Sequence, residues 1–560
     1  MAAPASRQRW LERAALLAIL LTALVLRLDG VGFGLPALND PDEALFVTTA
    51  LEMLDKQSLN PGWFGHPGTT TLYSLVLVIA SVAGIGIATG RYADADALAA
   101  AVYADPGILF LPARLMIVAC GLLCVWLTWR LGKRLGGTRV GLVAAAVLAV
   151  NPVHIEYSQI IRTDVQASVF ILLAALAALT IAEHGRRRDY LVAGLCAGLA
   201  CATKWPAAAV GVTALCAWAG RRAGGERDWL GPLLLMVSAA LTLVVVSPYL
   251  LLDHATVVQN LSGEARPLHP GATGEGFFGN LGWYVGGALL SSLGFAGLAL
   301  AALGMAWGAG SRRRWTIVML PFGLLFLAMI SAQSLRWERW IVPLLPFVAI
   351  AVARALCGLA DLLPAHRMRS AALPLALALL LLPMIGTARS EATERRHDTR
   401  QMASAWLRAN APPGSSILIE HAAFDLLGDP FALRFPMGSA GCVEVRDLLA
   451  GRVSNSKVDR TRGGGAVVDV GHVAMARIES CRADFAIVTN HLRYRADRIG
   501  YRAELARYDH LLAGARLRFT ARAVPGESSG PTVQVFELVD RAAGGPRPDL
   551  GPAEDRDAAF

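Results

Sequence analysis

Eleven stretches of the chain are apolar for long enough to read as membrane spans. They lie near 12–28, 108–128, 138–153, 166–183, 189–203, 207–220, 229–247, 283–307, 315–332, 340–357 and 371–387. Several fall short of the roughly 20 residues that cross a bilayer upright. A twelfth apolar stretch, 70–89, is ambiguous. Beyond 388 the pattern changes. Residues 396–409 have helical periodicity, SSILIE (415–420) and DFAIVTN (484–490) read as buried strands, and 492–513 reads as one long helix. Strands over 516–523 and 532–539 follow, and Asn410–Gly414 is a turn between helix and strand. The expected architecture is a polytopic α-helical membrane domain over 1–388 with about 11 transmembrane helices. A soluble α/β or α+β domain over 389–540 follows, then a disordered tail over 541–560.

Composition agrees. The chain is 55% hydrophobic and 17% charged, with a mean hydropathy of +0.47. Residues 1–388 hold 49 of the 95 charged residues, while the much shorter 389–560 holds 46, the density of an ordinary globular domain. Eight cysteines in 560 residues exclude a disulfide-dense scaffold, and the apolar content excludes disorder. The net charge of +9 is not gathered in runs suited to nucleic acid.

The basic residues instead report topology, because short cytoplasmic loops are rich in Lys and Arg. They cluster in every second loop: Arg130, Lys133, Arg134 and Arg139; Arg186, Arg187 and Arg188; Arg221, Arg222 and Arg227; Arg312, Arg313 and Arg314; Arg367 and Arg369. Together with Arg7, Arg9 and Arg13 they share one side only if 70–89 does not cross. That segment is therefore expected to be re-entrant or surface-lying within one long first external loop, 29–107. The N-terminus is then cytoplasmic and the C-terminal domain external. The apolar stretch 14–26 is not read as a signal peptide, since no small-residue cleavage site follows it and ten further spans do.

With this topology the unusual polar residues collect outside. The first loop carries Asp40, Asp42 and Glu43 in NDPDEALF and His66 in GHPGTTTLY; the second carries HIEYSQIIRTD with Arg162 and Asp164. Lys204 and Trp205 end the fifth span, Tyr249, Asp253 and His254 follow the seventh, and Arg336 and Arg339 lie in RWERW before the tenth. Each has a plainer reading: hydrated loop carboxylates, a helix cap at Asp164, a turn at His66, and aromatic-belt anchors for the arginines. The chain uses 48 Arg and only four Lys, so Lys204 at a span's end suits a phosphate or carboxylate partner, although snorkelling explains it equally well. No GxxxxGK[ST], HExxH or CxxC motif is present, and the Gly-rich 463–467 lacks a dinucleotide-site context.

An Asp-Glu pair after the first span, His-Pro some 25 residues on, Arg-x-Asp in the second external loop and a basic-aromatic string before a Pro-rich span form a recognisable order. Over roughly residues 10–350 it resembles the GT-C superfamily of integral membrane glycosyltransferases, within it glycosyltransferase family 39, the protein O-mannosyltransferases and lipid A aminoarabinose transferases. The resemblance implies a polyprenyl-phosphate-linked sugar donor approached from the bilayer. Transfer would go, with inversion, to a glycan, lipid or protein acceptor on the external face. It implies Asp42 as base with Glu43 adjacent and Asp164 as the second-loop carboxylate. Lys204, Arg339 and Arg336 fall near the lipid phosphate, and His66, Arg162 and Tyr249 shape the acceptor side. A divalent metal could be held by Glu43 with His66 or His254, as in some relatives, though nothing in their spacing requires it. Relatives usually read His-Pro-Pro, and here Gly68 follows Pro67. Arg-heavy, Ala-rich usage favours a bacterial inner-membrane protein with its C-terminal domain in the periplasm.

Two rival readings are a lipid-carrier flippase or transporter, which would need polar residues within its spans, and a polysaccharide polymerase or ligase with a diphosphate-linked donor, which would more often carry its long loop late. Finally, Cys442 and Cys481 are the only cysteines in the C-terminal domain, an expected disulfide if that domain is external, with two buried free thiols as the alternative.

Overall fold

The computed structural model describes the chain except residues 1–4, 66–67, 226–227, 265–271, 312, 365, 421–423, 455–456, 459–460, 462–468 and 539–560. His66, Pro67, the Gly-rich 463–467 and the tail from 541 therefore lie outside the described residues. Two compact units are present. The first comprises Met1–Val31, Asp42–Ile85 and Leu109–Glu391, the second Gly32–Pro41, Gly86–Ile108 and Ala392–Phe560.

In the first unit a helix forms at every one of the eleven apolar stretches, because an unbroken apolar backbone in lipid must satisfy its N–H and C=O groups within the segment. By length and composition seven helices among the described residues can cross a membrane: Thr69–Ala88, Gly107–Gly136, Thr163–His184, Gly276–Gly310, Arg314–Ser331, Glu338–Asp361 and Arg367–Arg396. Thr138–Ala149 and Leu230–Val246 are apolar but shorter. Thr163–His184 and Glu338–Asp361 are buried over most of their length and form the centre, whereas Arg367–Arg396 is largely exposed. Helix Arg187–Thr203 packs on Leu230–Val246 through Gly194 and Gly198. A Cβ at Gly194 would lie 2.4 Å from the Leu235 carbonyl oxygen, and one at Gly198 2.6 Å from that of Ala239, so this contact requires the bare backbone.

The 70–89 segment, expected to be re-entrant or surface-lying, forms one helix. Thr69–Ala88 is a single continuous helix of 20 residues without a charged side chain, long and apolar enough to span. A re-entrant segment would have to turn back midway, and nothing in TLYSLVLVIASV breaks the helix.

The second unit is built on a six-stranded sheet of β1 (Ser416–Ile419), β2 (Ala432–Pro436), β3 (Cys442–Glu444), β4 (Phe485–Val488), β5 (Arg516–Ala521) and β6 (Val533–Glu537), in the order β3-β2-β1-β4-β6-β5. β1 runs parallel to β2 and β4, and the remaining pairings are antiparallel. The two-residue alternation of the strands divides the core. Ile417, Ile419, Phe485 and Ile487 pack with Ala403 and Leu407 of helix Thr399–Asn410, while Leu418, Ala486 and Val488 pack with Tyr508 and Leu511 of helix Arg502–Leu511. The single long helix expected over 492–513 is two, His491–Ala496 and Arg502–Leu511, because the Asp497 carboxylate caps the Gly500 N–H at 2.9 Å and turns the chain between them. Glu420, just past β1, is wholly buried and accepts from the N–H groups of Val470, Thr489 and Asn490, which binds the ends of β1 and β4 together. Burial and the nearby Asp469 push its carboxyl up to about 7.

Cys442 and Cys481 form the expected disulfide, their Cα atoms 4.8 Å apart and 39 residues apart in sequence. On the chain-entropy account a loop of that length contributes about 3 to 4 kcal/mol. Cys481→Ala should therefore lower the unfolding midpoint of the second unit in a denaturant titration. An unchanged midpoint would mean that the bridge does not form in the purified protein.

Candidate active site

Asp42 and Glu43 occupy the first turn of helix Pro41–Asp55, where a proline pre-sets the backbone and the helix dipole favours carboxylates. Their side chains have different fates. Glu43 is wholly buried and receives a forked pair from Arg114, Nε at 2.9 Å and a terminal nitrogen at 2.6 Å. The Ile161 N–H donates to it at 3.0 Å, and Arg114 also donates to the Val31 carbonyl at 2.8 Å. Helix Pro41–Asp55, helix Gly107–Gly136 and the second loop are thus pinned at one point. A second buried cation, Arg27, holds the same loop from its other end. It donates to the Ala149 carbonyl at 2.9 Å, to Ser158 Oγ at 3.3 Å and to His154 Nδ1 at 2.9 Å. Since Arg is a donor only, His154 Nδ1 is the acceptor.

Asp42 is 37% exposed and faces two guanidinium groups, Arg162 at 3.1 Å and Arg339 at 3.3 Å. Arg162 is the extended residue at the start of helix Thr163–His184, and Asp164 two residues on is buried against Lys204 in a hydrogen-bonded ion pair. Lys204 is the extended residue between helix Arg187–Thr203 and the 3-10 turn Trp205–Val210. Arg339, the second residue of the 3-10 turn Glu338–Leu344, lies over the Trp337 ring at 4.8 Å. Arg162, Lys204 and Arg339 bring three cations to Asp42 and Asp164, and the carboxylates of Glu156 and Glu338 lie close to the adjoining Tyr157.

The glycine-threonine segment borders this cluster. Thr70 and Thr203 share a hydroxyl hydrogen bond of 2.6 Å, and Thr71 donates to Gln166 at 2.7 Å. Gly68 has φ +69°, a conformation closed to proline, so the departure from His-Pro-Pro follows from the backbone at that position. The preceding loop is tied down by Phe64 N–H to Asn260 at 2.8 Å and by Asn60 to Asp253 at 3.0 Å.

The structure therefore brings together Asp42, Arg162, Asp164, Lys204 and Arg339, and sets other candidates apart. Glu43 is a clamp, its oxygens taken up by Arg114 and a backbone N–H. Arg336 pairs with Glu275 at 2.8 Å and lies over Trp283 at 5.4 Å. Tyr249 is beside Tyr73, whose hydroxyl donates to the Leu59 carbonyl, and His254 is exposed at the start of helix His254–Glu264. Among the described residues no three His, Cys, Asp or Glu side chains gather to hold a metal, and His66, suggested with Glu43 and His254, lies outside them. Arg114 and Arg27 were not anticipated. The available signal was a lone arginine inside an otherwise apolar run.

Breaking a buried forked pair from one side strands the other charge at about 3–5 kcal/mol. Glu43→Ala and Arg114→Ala should each cut the thermal stability of the membrane unit sharply, while Asp42→Asn, half-exposed, leaves it unchanged. Equal melting curves for all three would remove Glu43 from its clamping role.

Residues 97–252 match the family model described as dolichyl-phosphate-mannose-protein mannosyltransferase. No curated protein sequence matches the chain significantly. Among solved structures, ArnT from Cupriavidus metallidurans in the apo state is similar at 15% identity with a TM-score of 0.55, covering 96% of this chain and 99% of that one. The same protein bound to undecaprenyl phosphate gives 14% and 0.54 over 97% and 100%. The archaeal oligosaccharyltransferase AglB from Archaeoglobus fulgidus, in complex with an inhibitory peptide and a dolichol-phosphate, gives 12% and 0.53 over 89% and 72%. The chain shares its fold with these solved structures.

Proposed function

We propose that this protein is a membrane glycosyltransferase that moves a sugar from a polyprenyl-phosphate donor to an acceptor at the external face of a bacterial inner membrane. The observation that carries the reading is the half-exposed Asp42 held between Arg162 and Arg339 beside the Asp164–Lys204 pair. The fold is shared with a protein crystallised with undecaprenyl phosphate.

The chemistry asks little more. The leaving group is a phosphate ester and needs charge stabilisation rather than strong protonation. Arg339 and Lys204 receive the phosphate, which competes with Asp42 and Asp164 for these cations and so frees the Asp42 carboxylate. Asp42 then takes the proton of an acceptor hydroxyl or amine. The acceptor atom bonds to the anomeric carbon from the face opposite the phosphate, the carbon–oxygen bond to phosphate breaks, its electron pair stays on the phosphate oxygen, and configuration inverts. Polar groups gathered at helix ends, rather than along a path through the spans, support surface chemistry over a flippase.

Asp42→Asn should reduce transfer by about a hundredfold or more, the scale of a lost general base, and Asp164→Asn should also cripple it by loosening Lys204. Lys204→Ala and Arg339→Ala should weaken undecaprenyl phosphate binding by about tenfold each. Near-normal turnover of Asp42→Asn in a transfer assay would move the base elsewhere and sink the reading.

The alternation of basic loops places the second unit outside and makes Thr69–Ala88 a surface-lying helix despite its length. Cysteines introduced at Ser58, Arg91 and Arg522 should all label from outside in intact cells. Labelling of Ser58→Cys and Arg91→Cys from opposite sides would show that the helix crosses.

A further inference from the structure

The second unit carries a cavity that the transfer chemistry does not use. It measures about 260 Å³ and is lined by His491, Arg495, Arg498, Leu505, Asp509, Leu512 and Phe536. His491 starts the short helix after β4, Phe536 lies on β6, and Leu505 and Asp509 belong to helix Arg502–Leu511, so a sheet strand and two helices enclose it. The His491 ring is fixed by stacking on Tyr508 at 5.4 Å, by an edge contact to Phe536 at 6.0 Å and by a hydrogen bond between Nδ1 and Gln534 at 3.2 Å.

Some arginines of this unit are committed to carboxylates and others are not. Arg400 pairs with Asp398, Arg408 with Asp425 and Asp429, Arg452 with Asp447, Arg482 with Glu479, and Arg518 with Glu537. Arg495 and Arg498, both exposed, make no ion pair among the described residues, as is also true of Arg493, Arg502 and Arg507, but these two line the same cavity as Asp509. Two uncommitted guanidinium groups, one carboxylate and an apolar wall are a specific combination. A bare anion would gain nothing from Leu505, Leu512 and Phe536 and would be repelled by Asp509. A sugar bearing a phosphate or carboxylate satisfies all three, since its charge meets the arginines, its hydroxyls donate to Asp509 and its C–H face meets the wall.

We propose that this cavity is a second binding site, for an anionic sugar, distinct from the cluster around Asp42. The proposal does not depend on the transferase reading.

The test uses the full-length chain in detergent carrying Arg339→Ala, so that the membrane-unit cations contribute least, with ligand-observed NMR as readout. The probes are glucose 1-phosphate, glucuronate, neutral glucose and inorganic phosphate. Glucose 1-phosphate and glucuronate should bind, and neutral glucose and inorganic phosphate far more weakly. The double variant Arg495→Ala/Arg498→Ala should bind glucose 1-phosphate about tenfold more weakly, while Arg493→Ala, exposed on the same short helix but outside the cavity, binds as before. Asp509→Asn should weaken glucose 1-phosphate, which loses its hydroxyl partner, and tighten inorganic phosphate, which loses a repelling charge. Equal binding by the double variant would overturn the site. Inorganic phosphate as tight as glucose 1-phosphate, or glucose as tight as either, would overturn the ligand class.

Discussion

The arrangement of the membrane unit depends on one buried ion pair. Glu43 and Arg114 are both withdrawn from solvent, and two charges cannot be kept there unless their hydrogen-bonding capacity is filled. It is filled by the forked contact, the Ile161 N–H and the Val31 carbonyl, groups from four separate stretches of chain. Because the pair tolerates only one geometry, the residue before Glu43 and the residue after Ile161 are placed as a consequence, and these are Asp42 and Arg162. The half-exposed pair at 3.1 Å is thus positioned by the buried one.

The same logic separates two neighbouring carboxylates by environment. Glu43 faces inward, is fully neutralised and has no room for a substrate. Asp42 faces outward, with solvent on one side and two cations on the other. A carboxylate in that position can give up a cation to an incoming phosphate and take up a proton, whereas one in the position of Glu43 can do neither without unpinning three elements.

Much of this was legible in the sequence. Apolar length locates helices because the bilayer leaves the backbone no other solution, and the short unbroken apolar runs within SSILIE and DFAIVTN locate the central strands of the second unit, which are buried on both faces. The site residues were legible as residue types at span ends, in an order that resembles a family. The division of labour between Asp42 and Glu43 was not, because it is decided by Arg114, which lies some seventy residues away inside a span and gives no local signal beyond its charge. Arg336 and Arg339, three residues apart, could not be told apart either, since Glu275 claims one and Asp42 the other. Ala432–Pro436 and Cys442–Glu444 are too short and mixed to announce strands, and the break after Ala496 rests on a single capping carboxylate. Thr69–Ala88 shows the converse limit, for its composition marks a helix without saying what direction it takes.

The central claim is that donor phosphate and Asp42 compete for the same cations. It is tested most directly by the affinity of undecaprenyl phosphate for the Asp42→Asn variant. Removing the competing charge should leave Arg339 free for the lipid phosphate, so the account predicts tighter binding than in the unmodified protein. Weaker binding would show that Asp42 supports the donor rather than competing with it, and would contradict the account.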